Sequence, residues 1–336
     1  MFINKNITVL LTKTAEMDVR LKKRPTLGEL IGCGLALGML LGFLFVNPPS
    51  IGFDLKNYLK TSQGDYSFYY YAYWILPFFS ILGRLPFTLS YVIWGLLSIF
   101  SIVYALRVFG GLSFAVLSSY QMFYILYQGQ FTGPAIGALA LLWWGLTHHR
   151  WNIAGLGLAI AAAKYQTGLT VGMILLLSAH ISWRERMRVT MIPAIVIGVS
   201  ILAYPLWPIR ALETLRNSPP NDLGSMTLWR WIGPYALLLW LPILAAIIWR
   251  KITPIAIIAT VMLSTPYFQQ TDLLVLFVLP VSWLPYLGNF GYFGGYEVLQ
   301  ALVILPLLIY IESIAYAFMR KLPGISPNGQ SKAHGQ

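Results

Sequence analysis

Long apolar runs separated by short polar breaks decide what this chain can fold into. The first run extends from Leu27 to Val46, and others recur as far as Phe318. Spanning a bilayer takes roughly 20 apolar residues. Only 10% of the 336 residues are charged and 57% are hydrophobic, whereas a soluble domain carries about 25% charged residues. A globular fold this apolar could not cover its own surface with polar groups. That excludes a soluble enzyme, a disordered tail and a nucleic-acid-binding domain. The 23 Lys and Arg against 11 Asp and Glu give a net charge of +12. In a membrane protein that surplus belongs on cytoplasmic loops and needs no polyanionic partner. The single cysteine, Cys33, permits neither a disulfide framework nor a cysteine-based zinc site.

The apolar stretch from Ile7 to Leu11 is too short for a signal peptide. Arg20, Lys22, Lys23 and Arg24 precede the first long run, which places the N-terminus in the cytoplasm and makes that run an uncleaved span. Gly34, Gly38 and Gly42 recur along it, so that face is expected to pack closely on a neighbour. Further spans are expected near 88–107, 112–127, 131–146, 151–163, 168–181, 191–207, 234–248, 252–263, 273–287 and 298–318. The expected fold is therefore an all-α polytopic transmembrane bundle of about 10–12 spans, with short interfacial helices in the outer loops. Counting crossings puts Arg107, His148-His149-Arg150, Arg184, Arg186, Arg188, Arg250 and Lys251 on inside loops. Parity sets Arg320-Lys321 outside, against the charge rule, so the side of the C-terminus stays open. The organisation read from this is a cytoplasmic segment over 1–26, one transmembrane domain over 27–320, and a flexible tail over 321–336. The long outer loops fall at about 47–87 and 208–233.

The outer face collects the unusual polar residues. Its first loop reads Gly64-Asp65-Tyr66-Ser67-Phe68-Tyr69-Tyr70-Tyr71-Ala72-Tyr73-Trp74, and Asp54 and Asp65 are the loop's two acids. Asp65 among aromatic rings can take a proton from a hydroxyl, with Tyr66, Tyr69 and Tyr70 offering faces to a sugar. It can equally cap a helix, since tyrosines are ordinary in interfacial belts. Lys164 lies in Ala163-Lys164-Tyr165-Gln166, between two segments too short for upright spans. A buried intramembrane cation faces a partner or a cavity, here a phosphate, unless it snorkels to the headgroups. The second large loop supplies Arg210, Arg216, Asp222 and Arg230, which suit a bound phosphate or lipid headgroups. Gln130 can contact substrate or backbone, Gly129, Gly133 and Gly137 read as packing positions, and Asp272 reads as a cap or structural pair. There is no phosphate-cradling loop for an ATP-driven pump.

Taken together these residues resemble a family. The first loop resembles the polytopic glycosyltransferases of the GT-C superfamily. Gly129-Gln130, His149-Arg150, the 154–159 segment and Ala163-Lys164 look like the core of glycosyltransferase family 87, the polyprenyl-phosphate-mannose-dependent mannosyltransferases. Ser225-Met226-Thr227-Leu228-Trp229-Arg230 and Ser264-Thr265-Pro266-Tyr267 are similar to its later motifs. The likeness covers roughly 60–285 and departs from the family at Thr132, where asparagine is usual, and at Tyr165, where proline is frequent. It implies an inverting hexosyltransferase that moves a mannose-like sugar from a polyprenyl-phosphate donor to a hydroxyl of a lipid or glycan acceptor. Transfer would occur at the extracytoplasmic face of the cell membrane. Asp65 would then be the general base, and Lys164, Arg230 and Arg210 would hold the donor phosphate. Tyr66, Tyr69, Tyr70, Gln130, Tyr165, Gln166, Tyr267 and Asp272 would line the substrates. No cofactor is required by this chemistry, no metal ligands are assigned, and a divalent-ion requirement is left open. The membrane lipids are the other partner, and nucleic acid is none. The rival readings are a polytopic transporter or lipid flippase, and a non-catalytic assembly subunit.

Overall fold

A computed structural model describes residues 16–46, 51–66, 69, 71–217, 225–248, 254–281 and 283–319. The expected tail over 321–336, Tyr70, Asp222, Arg250 and Lys251 lie outside the described residues. Helix is the regular secondary structure of the described residues, and beside it they hold one isolated antiparallel bridge, between Ser225 and Gln269. Among the described residues, five helices are long and apolar enough to cross a membrane: Leu27–Val46 (α1), Phe87–Phe109, Trp183–Ala203, Trp229–Ile247 and Val298–Ala315. The expectation of about eleven spans is met in part. Residues 112–127 divide into Ser113–Leu117 and Tyr120–Gln128, and residues 273–287 divide into Leu274–Phe277 and Leu284–Leu287. Trp151–Ala161, Tyr165–Ser178 and Pro254–Ser264 are shorter apolar helices.

Local chemistry sets many of the boundaries. Helix α2 (Phe53–Ser62) follows Gly52, whose φ of 63° suits glycine. Helix α3 (Phe87–Phe109) starts after Pro86 and stops at Gly110, φ 88°. Ser119 caps α4 (Tyr120–Gln128) by accepting from the Met122 N–H at 3.1 Å, and Gly129 ends it in the left-handed region. The 183–203 helix opens with a Ser182–Glu185 capping box. That box starts it eight residues before the expected 191, so Arg184, Arg186 and Arg188 fall in its first turns and not in a loop.

The core is organised around α5 (Thr132–Thr147), most of whose residues are buried. Its glycines let neighbours approach to backbone distance. A Cβ on Gly133 or Gly137 would sit 2.7 or 2.6 Å from Ser98 or Ser101 of α3. One on Gly157 of α6 (Trp151–Ala161) would meet the α5 backbone at 2.5 Å. The glycines of α1 behave differently. Gly34, Gly38 and Gly42 face nothing within 4 Å, whereas Gly32, Ala36 and Leu40 are buried. Two residues of offset turn the glycine face about 200° away from the neighbours. The Arg107–Glu29 pair, 2.7 Å apart, helps to fix that rotation.

Between α6 and α7 (Thr170–Ser178) the chain passes through a π turn, Tyr165–Leu169, and reverses. Gly168 is packed so tightly there that a Cβ would lie 1.9 Å from the Ala161 carbonyl oxygen. Overpacking against backbone costs about 1–3 kcal/mol or more. Gly168→Ala is therefore expected to lower the unfolding midpoint in detergent sharply, while Gly38→Ala, in open space, leaves it unchanged or slightly raised. Equal effects of the two substitutions would contradict this packing.

Candidate active site

The π turn delivers Lys164, which is fully buried, into the bundle. Its ammonium donates to Asp272 Oδ1 at 2.6 Å and to the Thr132 hydroxyl, both also fully buried. Thr132 opens α5, and Asp272 lies on the 3-10 turn Gln270–Leu273. The other oxygen of Asp272 accepts from the Gln269 backbone N–H at 3.1 Å, so the acid both pairs and caps. An unpaired buried ammonium would be expensive; carboxylate and hydroxyl together satisfy most of its donors.

Gln130 ties the segments together. Its amide oxygen accepts from Thr271 Oγ1 at 2.6 Å and Thr132 Oγ1 at 3.4 Å, and its Nε2 donates to Gln269 Oε1 at 3.3 Å. Gln269 in turn donates to the Tyr267 hydroxyl at 2.8 Å. Asp54 reaches this network from α2. It can do so because Gly129 lets α2 approach: a Cβ there would lie 2.8 Å from Leu55 Cβ, and the Gly52 N–H donates to Tyr127 O at 2.8 Å. Burial pushes the Asp54 carboxyl up to about 6, against the opposing pull of the Lys164 charge and a hydrogen bond from Gln130. Burial also raises the Tyr71 phenol beside it, with the Asp54 charge adding to the effect. Tyr71 is therefore neutral at physiological pH.

Most residues expected from sequence divide between this network and the ground beside it. Gln130, Lys164, Tyr267 and Asp272 belong to the network, while Tyr165 and Gln166 form the half-buried start of the π turn. Tyr66 stacks on Tyr73 with centroids 5.2 Å apart, and Tyr73 on Trp207 at 5.5 Å. The Arg210 guanidinium covers Tyr66 at 5.9 Å from its centroid. Buried Tyr69 donates to the Ala72 carbonyl at 3.0 Å. Arg230 is exposed, and both its terminal nitrogens reach the side-chain oxygen of Gln300, at 3.1 and 3.2 Å, with that amide turned to match. Asp65 is exposed after the Gly64 turn, and its N–H donates to Lys60 O, closing the end of α2. Of the described residues that follow it, Tyr66, Tyr69, Tyr71 and Ala72 are not helical. Lys164 has a carboxylate partner where a phosphate was expected, and the three expected phosphate cations lie in separate surroundings.

Asp54, Thr132, Gln269 and Thr271 are the site residues that the sequence reading passed over. Asp54 had one usable signal, its place in the first outer loop soon after the first apolar run. Gln269 and Thr271 show themselves only through contacts with Gln130, 139 and 141 positions away, and Thr132 through its contact with Lys164, 32 positions away. Among the described residues no group of three or more His, Cys, Asp or Glu is placed to hold a metal ion. Comparison with family models, curated proteins and solved structures gives no match for this chain.

Removing one partner of a buried ion pair costs about 3–5 kcal/mol, whereas replacing both by apolar groups can be neutral. Lys164→Met and Asp272→Leu are each expected to destabilise strongly, and the double variant to recover most of the loss. Denaturant unfolding in detergent measures this. Additive single-variant losses would show that the pair is not coupled.

Proposed function

We propose that the protein is a membrane glycosyltransferase of GT-C-like fold, transferring a mannose-like hexose from a polyprenyl-phosphate donor to an acceptor hydroxyl. In this reading the reaction takes place at the extracytoplasmic end of the bundle, with the N-terminus in the cytoplasm. The observation that carries the proposal is the Asp54 carboxyl, held at about 6 by burial beside Gln130 and Lys164. A general base works best when its pKa lies near the working pH. We therefore assign that role to Asp54 and not to exposed Asp65.

The acceptor hydroxyl loses its proton to Asp54 as its oxygen forms a bond to the anomeric carbon. The bond from that carbon to the donor phosphate breaks, and its electron pair leaves with the phosphate oxygen. One displacement inverts the anomeric centre. Arg210, which lies over Tyr66, is the cation assigned to the departing phosphate, where fixed positive charge stabilises the transition state. Lys164 is a positioning residue: it holds Asp272, and its charge keeps Asp54 from rising further. Tyr66, Tyr69 and Tyr71 border the acceptor.

A transporter or flippase is the second reading, favoured by one observation: a buried Lys–Asp pair at a break between short helices. Proteoliposomes separate the two, since a transporter moves substrate across without forming a glycosidic bond. With a labelled polyprenyl-phosphate mannose donor, Asp54→Asn is expected to cut transfer about 10²–10⁴-fold, and Asp65→Asn to leave it near wild type. The reverse pattern would move the base to Asp65. The rate should rise with pH through about 6, as Asp54 loses its proton.

Stability should show the opposite sign. A carboxyl whose folded pKa is raised stabilises below its unfolded pKa and loses that contribution as pH rises through about 6. Asp54→Asn should thus match wild type in unfolding midpoint at pH 4 and exceed it above pH 6. An inactive variant that was also less stable at neutral pH would indicate a structural acid.

A further inference from the structure

One phenol of the first outer loop is left unsatisfied. Tyr73 is fully buried, and among the described residues its hydroxyl has no hydrogen-bond partner. A buried hydroxyl without a partner is costly and calls for a reason. Its ring stacks on Tyr66 at 5.2 Å and on Trp207 at 5.5 Å, with Tyr69 and Tyr204 edge-on at 5.4 and 5.9 Å. Trp207 is itself held by donating to Ser200 Oγ at 3.0 Å. Four aromatic contacts thus hold the Tyr73 ring and fix where its hydroxyl points.

A second cost is carried at the same place. Leu206, between the Trp183–Ala203 and Trp207–Asn217 helices, has a φ of 63°, a conformation that leucine rarely adopts. Such strain persists only where the surrounding contacts impose it. The strained turn sets down the Trp207–Asn217 helix so that Trp207 meets Tyr73, and Arg210, three residues on, covers Tyr66 at 5.9 Å. That helix buries no residue, and Leu206, Ile209 and Leu212 are exposed. It follows a helix long and apolar enough to cross a membrane. An amphipathic helix so placed rests in the bilayer interface, at the depth of lipid phosphates.

The polar groups brought together there are both donors. Burial, and then the Tyr66 phenol beside it, raise Tyr73 to about 12, and the Arg210 charge opposes them, so a protonated phenol lies near a cation. Among the described residues no carboxylate, Glu213 of the same helix included, is paired with Arg210. A guanidinium and a neutral hydroxyl without a competing acid suit an oxyanion and repel a metal ion. Two ring contacts, Tyr73 to Tyr69 and Tyr69 to Tyr71 at 5.9 Å, connect this place to the phenol beside Asp54.

We propose that the Tyr73 hydroxyl and the Arg210 guanidinium form a subsite for the phosphate of a membrane lipid. Tyr73 donates to one phosphate oxygen and Arg210 to others, and Tyr66, half-buried under Arg210, is the ring that yields to admit them. Resting on the transferase reading, that lipid is the polyprenyl-phosphate donor; an anionic phospholipid presents the same chemistry.

The test measures binding of radiolabelled polyprenyl phosphate to the intact protein in phosphatidylcholine nanodiscs, without acceptor or turnover. Tyr73→Phe keeps the ring and removes the hydroxyl alone. It is expected to weaken binding about tenfold, the scale of a hydrogen bond to a charged group, with the unfolding midpoint unchanged or raised. Arg210→Gln should weaken binding at least as much, and Arg216→Gln, exposed farther along the same helix, should leave it unchanged. Unlabelled phosphatidylglycerol separates the two sources. Failure to displace the probe identifies the donor as the occupant, and displacement at equal concentration identifies a phospholipid headgroup at the same subsite. No saturable binding by the wild type, full affinity in Tyr73→Phe, or equal losses in Arg210→Gln and Arg216→Gln would each overturn the proposal. Binding that depends on Tyr73, with no sugar transfer in a separate assay, would instead count against the transferase reading alone.

Discussion

A charge taken out of water must be matched, and the Lys164–Asp272 pair is where this fold meets that requirement. Lys164 immediately precedes a π turn, Thr132 begins the central helix, and Asp272 caps a 3-10 turn more than a hundred residues later. None of these segments is a simple upright helix at that point. Their backbones bend so that three buried polar side chains can satisfy one another. Gln130 extends the match to Thr271 and Gln269. Helix breaks inside an apolar bundle are tolerated where polar groups find partners within the protein, and here those partners form the site itself.

This arrangement places a second acid, Asp54, where its environment is only partly compensated. Burial outweighs the opposing Lys164 charge and the Gln130 hydrogen bond, so the carboxyl rises to about 6. A structural acid gains nothing from such a position, whereas a base must exchange its proton near neutral pH. The glycines that bring α2 and the α4–α5 junction together are thus part of the same device as the acid.

The sequence displayed the elements better than their relations. The apolar runs at 27–46 and 88–107 became α1 and α3 because a spanning helix needs no partner to satisfy its backbone. The runs at 112–127 and 273–287 are also apolar but break, at Ser118 and after Phe277, and hydropathy is blind to such turns. Gly133 and Gly137 were legible as packing positions. Gly34, Gly38 and Gly42 have the same spacing yet face outward, since spacing defines a face and not its neighbour. Lys164 stood out because an isolated lysine in an apolar stretch is costly. Its partner did not, because pairing over 108 positions leaves no local pattern. Asp65 drew attention through its aromatic neighbours, while Asp54 lies on an ordinary-looking amphipathic helix and acquires its character only from what packs over it.

The central claim is that Asp54 is a buried acid tuned by burial against the charge of Lys164. Difference infrared spectroscopy of the protein in lipid, titrated from pH 4 to pH 8, measures this directly. A protonated-carboxyl band should disappear with a midpoint near 6 and be absent from Asp54→Asn. In Lys164→Met/Asp272→Leu the midpoint should move upward, because the lowering charge is gone. A midpoint near 4 that is indifferent to the loss of Lys164 would show that Asp54 is an ordinary solvated carboxylate, and the account would fail.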